Sequence, residues 1–271
     1  MYKTRFIYPL FLVLSIISKG QVLDPTEYNF AFQVKQVDEF IERFNGDTST
    51  LLYEYRSQKF PDKPMDRKLM IKTLFDNMKG DWDINLVKEF INEITDPRDP
   101  EYISFYDDDW YALLACDVMY KGRREKAMIT LAIQKEEDYS SKWVIRGVKA
   151  DFLSIPGKES DHVFLNPVSH GTDFMNLKQL FNADKKHIKS YLYRNFHPGG
   201  MALFIHELIE GNIAFDQVNT ITYHFLQVDG WGFSLQKVYR ETSNSGWLIS
   251  NLQRLKTKDK AVYRSKVLNL D

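Results

Sequence analysis

The chain has 271 residues, 44% hydrophobic and 14% aromatic, enough to bury one large core or two of ordinary size. Its 36 basic and 37 acidic side chains leave a formal net charge of −1, and no segment has the clustered basic face of a nucleic-acid binder. A single cysteine, Cys116, excludes an intrachain disulfide, so packing has to hold the fold.

Lys3 and Arg5 precede an apolar run over residues 6–17, and Ser18-Lys19-Gly20 places small residues at the two positions a signal peptidase reads. Residues 1–20 therefore read as a secretory signal peptide. The run is shorter than the roughly 20 residues that cross a bilayer, so no membrane span is expected. No cysteine follows it to take a lipid anchor. The mature chain is expected to begin at Gln21, exported to the periplasm or the exterior. Removing Lys3, Arg5 and Lys19 leaves 33 basic against 37 acidic side chains, a net of about −4.

Phe32, Val34, Val37, Phe40, Ile41 and Phe44 recur at three- and four-residue steps and stop at Asn45-Gly46, the pattern of an amphipathic helix with a C-terminal stop. Helices are also expected over residues 66–78 and 84–94, after which Asp96-Pro97 and Asp99-Pro100 break the pattern. The period then shortens to two. Residues 110–120, 125–134 and 142–150 read as a three-stranded meander, with turns at Lys121-Gly122 and at 136–140. In the second strand Ala127, Ile129, Leu131 and Ile133 share a face, with Met128, Thr130 and Gln134 opposite. Cys116 sits in an apolar run, where a free thiol usually packs as a small hydrophobe.

Residues 156–161 are polar and turn-rich, a candidate boundary. Beyond it the order repeats: helices over 173–181, 185–194 and 201–210, then strands over 217–228, 231–241 and 247–255, with a hairpin turn at Asp229-Gly230. The basic residues from Lys256 to Lys266 read as a solvated tail. The last strands of the two halves open alike, Ser141-Lys142-Trp143-Val144-Ile145 and Ser245-Gly246-Trp247-Leu248-Ile249. The expected fold is α+β: two tandem domains, residues 21–155 and 156–271, each with N-terminal helices packed on a curved antiparallel sheet.

At those residues the chain resembles the NTF2-like, cystatin-like superfamily, in which a Gly-Trp-aliphatic-Ile opening to the final strand recurs. Gly246-Trp247-Leu248-Ile249 fits, and Lys142 replaces the glycine in the first half. The resemblance covers roughly residues 28–152 and 162–256. It implies a conical pocket between sheet and helices, used across the superfamily for ligand binding, isomerisation, dehydration or dimerisation. The Asp-His and Asp-Tyr constellations of its enzymes do not map onto this chain residue by residue. Two exported copies look like secreted proteins of Bacteroidetes-like bacteria.

All six histidines lie in the second half, but their spacing matches no metal pattern. His206 and Glu207 begin like a zinc-protease helix, yet Glu210 stands where the second histidine belongs, so a surface pair is expected. Asp107-Asp108-Asp109 lacks the alternation of a calcium loop. Gly230-Trp231-Gly232 lies in a hairpin rather than between strand and helix, and Gly157-Lys158 and Ser169-His170-Gly171 lack the framing of a phosphate loop or a nucleophile elbow. No metal or cofactor is expected. Aromatic residues on the meanders are the candidate ligand contacts: Trp110, Tyr111, Tyr223 and Trp231, with His224 beside them. The leading expectation is a non-enzymatic binding or protein-interaction module, tolerant of alanine at His206, His224 and Asp109. The alternative is a small-pocket hydrolase or isomerase with His224 or His206 as general base. The partner class stays open between a small molecule and a protein, a homodimer included.

Overall fold

The computed structural model describes residues 25–63, 65–137, 140–153, 200–241 and 244–270. The expected signal peptide, the boundary at 156–161, the helices at 173–181 and 185–194, Gly157-Lys158, Ser169-His170-Gly171, and His162, His187 and His197 lie outside them.

The described residues form α1 (Pro25–Phe32), α2 (Val37–Asn45), α3 (Leu51–Lys59), α4 (Arg67–Thr73) and α5 (Ile84–Ile94), then β1 (Trp110–Tyr120), β2 (Arg123–Lys135) and β3 (Ser141–Lys149). After them come α6 (Gly200–Ile209), β4 (Ile213–Phe225), β5 (Trp231–Val238), β6 (Gly246–Arg254) and α7 (Thr257–Lys266). The class is α+β. All six strands join one antiparallel sheet in the order β3-β2-β1-β4-β5-β6, so the two meanders meet where β1 pairs with β4.

The helix expected from Phe32 begins only at Val37, since Phe32 closes α1 and Val34 bridges to β6; α2 buries Phe40, Ile41 and Phe44 and ends where Gly46 takes φ 77 and its N–H returns to the Arg43 carbonyl. Asp83 caps α5 by accepting the N–H groups of Asn85 and Leu86. The helix expected over 66–78 is shorter, Arg67–Thr73, because the chain after it bonds to a strand instead. Ile249 N–H donates to the Leu74 carbonyl at 2.7 Å and Asp76 N–H to the Ile249 carbonyl at 3.2 Å. Val34 does the same farther along, pairing with Ser245 and Trp247. These contacts cover stretches of the outer edge of β6, which would otherwise present unpaired backbone groups.

The first hairpin turns on Lys121 (φ 49) and Gly122 (φ 81), the two left-handed residues a tight hairpin needs. On β2 the expected faces hold. Ala127, Ile129 and Leu131 lie under α6 with Cys116, Val148 and Phe204, and Ile133 reaches the neighbouring core. That neighbouring core lies at the other end of the same sheet face, where α2, α4 and α5 cover β5 and β6. There Phe40, Phe44, Phe90, Phe225, Phe233, Trp110 and Trp231 interlock, with Phe225 and Phe233 stacked at 5.1 Å and Phe44 and Phe233 at 5.6 Å. Rings occupy the space where a conical pocket was expected. The helices of the first half thus pack mainly on strands of the second, and α6 of the second half packs mainly on strands of the first.

The opposite face corrects the expected solvated tail. Residues 257–266 form α7, and Leu268 and Leu270 behind it close over Tyr111, Leu113, Ala132, Leu226 and Leu255. Lys260 is 8% exposed and donates to the carbonyls of Leu226 (2.8 Å) and Val228 (2.6 Å), so its charge finds carbonyl dipoles rather than water. No helix of the described residues is long and apolar enough to cross a membrane.

Candidate functional site

Of the five aromatic and histidine candidates, Trp110 and Tyr111 line one cleft, while strand alternation sends the set as a whole to different faces. Trp110 and Trp231, each 1% exposed, are core rings. The indole N–H of Trp110 donates to the Phe105 carbonyl, and that of Trp231 to Glu93 Oε2, with the Arg254 guanidinium 4.0 Å above the Trp231 ring. Tyr223 shares their face and packs edge-on against Trp247 at 4.7 Å. Tyr111 and His224 are direct cross-strand neighbours on the other face, beneath α7.

A cleft of about 580 Å³ opens where β1 begins, lined by Asp107, Asp108, Tyr111, Gln134, Lys135 and Arg146 among others. Its rim is a fixed loop. The Gln227 side chain takes the Ser104 N–H and donates to the carbonyls of Ser104 and Asp108, and Leu226 N–H donates to the Asp109 carbonyl. Asp109 holds a left-handed φ of 67, uncommon for a residue with a Cβ and retained where surroundings enforce it. Arg264 of α7 supplies that enforcement with a 2.7 Å ion pair, and Tyr111 Oη donates to the same carboxylate oxygen at 3.1 Å. Burial, aided by the Asp109 charge, raises the Tyr111 pKa, which keeps the phenol a donor at neutral pH. Asp107 meets Lys135 at 3.6 Å. Asp108 and Arg146 line the cleft with no side-chain ion pair among the described residues, leaving one carboxylate and one guanidinium for a ligand. Sequence reasoning named Tyr111 and Trp110 of this lining as ligand contacts, read Asp107–Asp109 as a loop without calcium spacing, and missed Gln134 and Arg146. Register puts those two on the same sheet face as Tyr111, and no local motif marks them.

His224 is 6% exposed, its Nδ1 lies 2.8 Å from the Tyr263 hydroxyl, and its Nε2 is buried with no hydrogen-bond partner among the described residues. Burial lowers its pKa to about 4, so the ring is neutral at pH 7. At His224 and Asp109 these contacts give alanine a cost, since each anchors α7 to the sheet. The unfolded chain takes up the histidine proton near pH 6.5 while the fold resists it until about pH 4. Stability is thus full above pH 6.5 and falls as pH drops through that window, by about 3 kcal/mol. Urea midpoints across this range should slope more steeply for the wild type than for His224→Gln; equal slopes would remove the assignment.

His206 and Glu210 are both exposed at the end of α6, while Glu207 on the same helix pairs with Lys121 at 3.5 Å. Among the described residues, no three His, Cys, Asp or Glu side chains gather as metal ligands. Cys116 is 2% exposed, and burial raises its thiol pKa, away from nucleophilic character. Comparisons with protein-family models, curated proteins and solved structures find no match to this chain.

Proposed function

We propose that the chain is an exported, non-enzymatic binding module that takes a small polar ligand of mixed charge in the cleft of Asp108, Tyr111, Gln134 and Arg146. The observation that carries this reading is the pairing of a rigid rim with two opposite charges left over. Asp109 is spent on Arg264 and Asp107 on Lys135, while Asp108 and Arg146 face the cleft unpaired among the described residues. A preformed cavity of several hundred cubic ångströms with a few placed polar groups is the usual form of a small-molecule site.

The architecture fits a duplicated helix-plus-meander unit of the NTF2-like kind. The third strand of each meander, β3 and β6, lies at an outer position of the sheet, and Trp143 and Trp247 from the two repeated motifs both reach Tyr223, at 6.4 and 4.7 Å. Export rests on residues 1–20, whose charge and apolar run have the form of a secretory leader. A histidine base has weaker support: His224 has its Nδ1 on Tyr263 and lines none of the clefts described.

Native mass spectrometry of the mature chain after incubation with cell-envelope and growth-medium extracts tests the reading. One low-mass species should be retained by the wild type and lost from the Asp108→Asn/Arg146→Ala double variant. Retention of nothing, or equal retention by both proteins, would count against the cleft.

A further inference from the structure

Strand β4 is the anomaly of the sheet. It lies fourth of six, where a strand should be paired on both sides, yet residues 214–221 are all exposed. The cause is a fork. β4 pairs with β1 along its whole length, but with β5 only at Tyr223, His224 and Phe225; beyond that point β5 swings away with β6. The gap holds about 480 Å³ between residues 218–222 on one side and Gln236, Lys237, Tyr239 and Trp247 on the other. Between residues 214 and 222, β4 therefore presents an edge without a ladder partner among the described residues. Edges of this kind are guarded by charged side chains, proline or β-bulges; this stretch, Ala-Phe-Asp-Gln-Val-Asn-Thr-Ile-Thr, has no lysine or proline, and its guards are two register shifts and Asp216, whose charge Arg124 pairs.

The pattern along that edge is self-complementary about Val218. Phe215, Val218 and Ile221 oppose Val118, Cys116 and Leu114 on β1, so all three point to one face, and they are 48%, 48% and 38% exposed. Two one-residue register shifts put them there, leaving Asn219 and Asp216 without a partner on β1. A two-fold axis through Val218 would set Val218 against itself, Phe215 against Ile221, Asp216 against Thr220 and Gln217 against Asn219. Charge permits the match as well. Asp216 is the one charged residue of the stretch and is neutralised within its own chain by Arg124 at 2.6 Å, so no like charges oppose each other.

We infer that β4 is the interface of an isologous homodimer, in which two copies of this chain pair antiparallel through residues 214–222 and join their sheets. A closed two-fold interface places the same patch on both partners, as this edge requires. The occupant is a second copy because residues 215–221 match their own reverse in both apolar and polar positions.

Cross-strand partners in an antiparallel pair have Cα atoms about 4.5–5.5 Å apart, within disulfide range. Cys116 opposes Val218 within the chain, so the probe is Val218→Cys in a Cys116→Ala background. Mild oxidation should yield a covalent dimer from this variant and not from Cys116→Ala/Thr220→Cys, whose mate across the axis is Asp216. Light scattering should find the wild type dimeric and Val218→Lys monomeric with an unchanged far-ultraviolet spectrum. A monomeric wild type, a dimer that survives Val218→Lys, or equal crosslinking of the two cysteine variants would overturn the proposal. So would a monomer that binds a foreign extended polypeptide along β4, which would give the edge to another partner.

Discussion

Gly246→Ala is expected to destabilise the chain by about 3–5 kcal/mol, at the severe end for a single methyl group. Gly246 opens β6 at φ 90, a conformation that a Cβ disfavours by about 1–2 kcal/mol. The larger part comes from what crosses above it. An added Cβ would overlap the Val34 carbonyl oxygen and sit 2.6 Å and 2.9 Å from the Val34 carbonyl carbon and amide nitrogen. Relief requires moving the segment that bonds Val34 N–H to Ser245 at 3.0 Å and Trp247 N–H to Val34 at 2.8 Å. Both bonds are then lost or bent in a buried setting, where unpaired groups are costly. Gly122→Ala is the control, since φ 81 imposes the conformational strain but nothing lies within 4 Å of its Cβ. Denaturant unfolding of the two variants should therefore differ by at least about 2 kcal/mol. Equal losses would mean that the Val34 crossing contributes nothing.

The same position explains how the repeated motif departs from itself. Ser245-Gly246-Trp247 and Ser141-Lys142-Trp143 open equivalent strands, but among the described residues only β6 is crossed by the N-terminal segment. Lys142 has room to reach Glu136 at 2.7 Å and stays exposed. The glycine that suggested a superfamily pattern thus also has a local steric cause.

The strands were legible because their alternation is governed by neighbours two residues away. β1 and α5 match the expected bounds, and β2, β3, β6 and α6 differ by a residue or two, whereas β4 runs Ile213–Phe225 against the expected 217–228 and β5 stops at Val238 rather than 241. What the sequence hides is long-range. α1 is short and has little amphipathic pattern. It is fastened by the buried Arg43 guanidinium, which donates to the carbonyls of Ala31, Phe32 and Gln33 and pairs with Glu39 at 2.5 Å. α7 reads as a solvated basic run because its lysines are spaced like surface residues. Lys260 nevertheless turns inward to two carbonyls, and Arg264 to Asp109. The cleft was half visible for the same reason. Asp107–Asp109 form a contiguous signal, whereas Gln134 and Arg146 join them only through the pairing of β1, β2 and β3. Trp231 lies sealed in the core, and an aromatic ring on a strand gives no sign of which helix will cover it, whereas Trp110 reaches the cleft beside Tyr111.

Separating the chain between residues 153 and 200 is expected to leave two fragments that do not fold alone and fold together. The reason is the exchange of helices between the halves. Phe40, Phe44, Ile71, Leu74, Phe90 and Ile94 come from the first half and are fully buried, chiefly against Phe225, Phe233, Leu235, Leu248 and Ile249 of the second. Burial of each such side chain is worth about 1.5–3 kcal/mol, and six of them together match or exceed the net stability of about 5–15 kcal/mol typical of a domain. Fragment 200–271 loses as much, since its three strands would keep α7 on one face and expose the aromatic face that α2, α4 and α5 cover. The β1–β4 junction adds the central ladder, which neither fragment can form by itself. Circular dichroism of each fragment alone should show no cooperative thermal transition, and an equimolar mixture should regain one. A cooperative transition from either fragment by itself would make that half an autonomous domain. The crossing of helices over the opposite meander would then be packing between two finished units rather than the core that folds them.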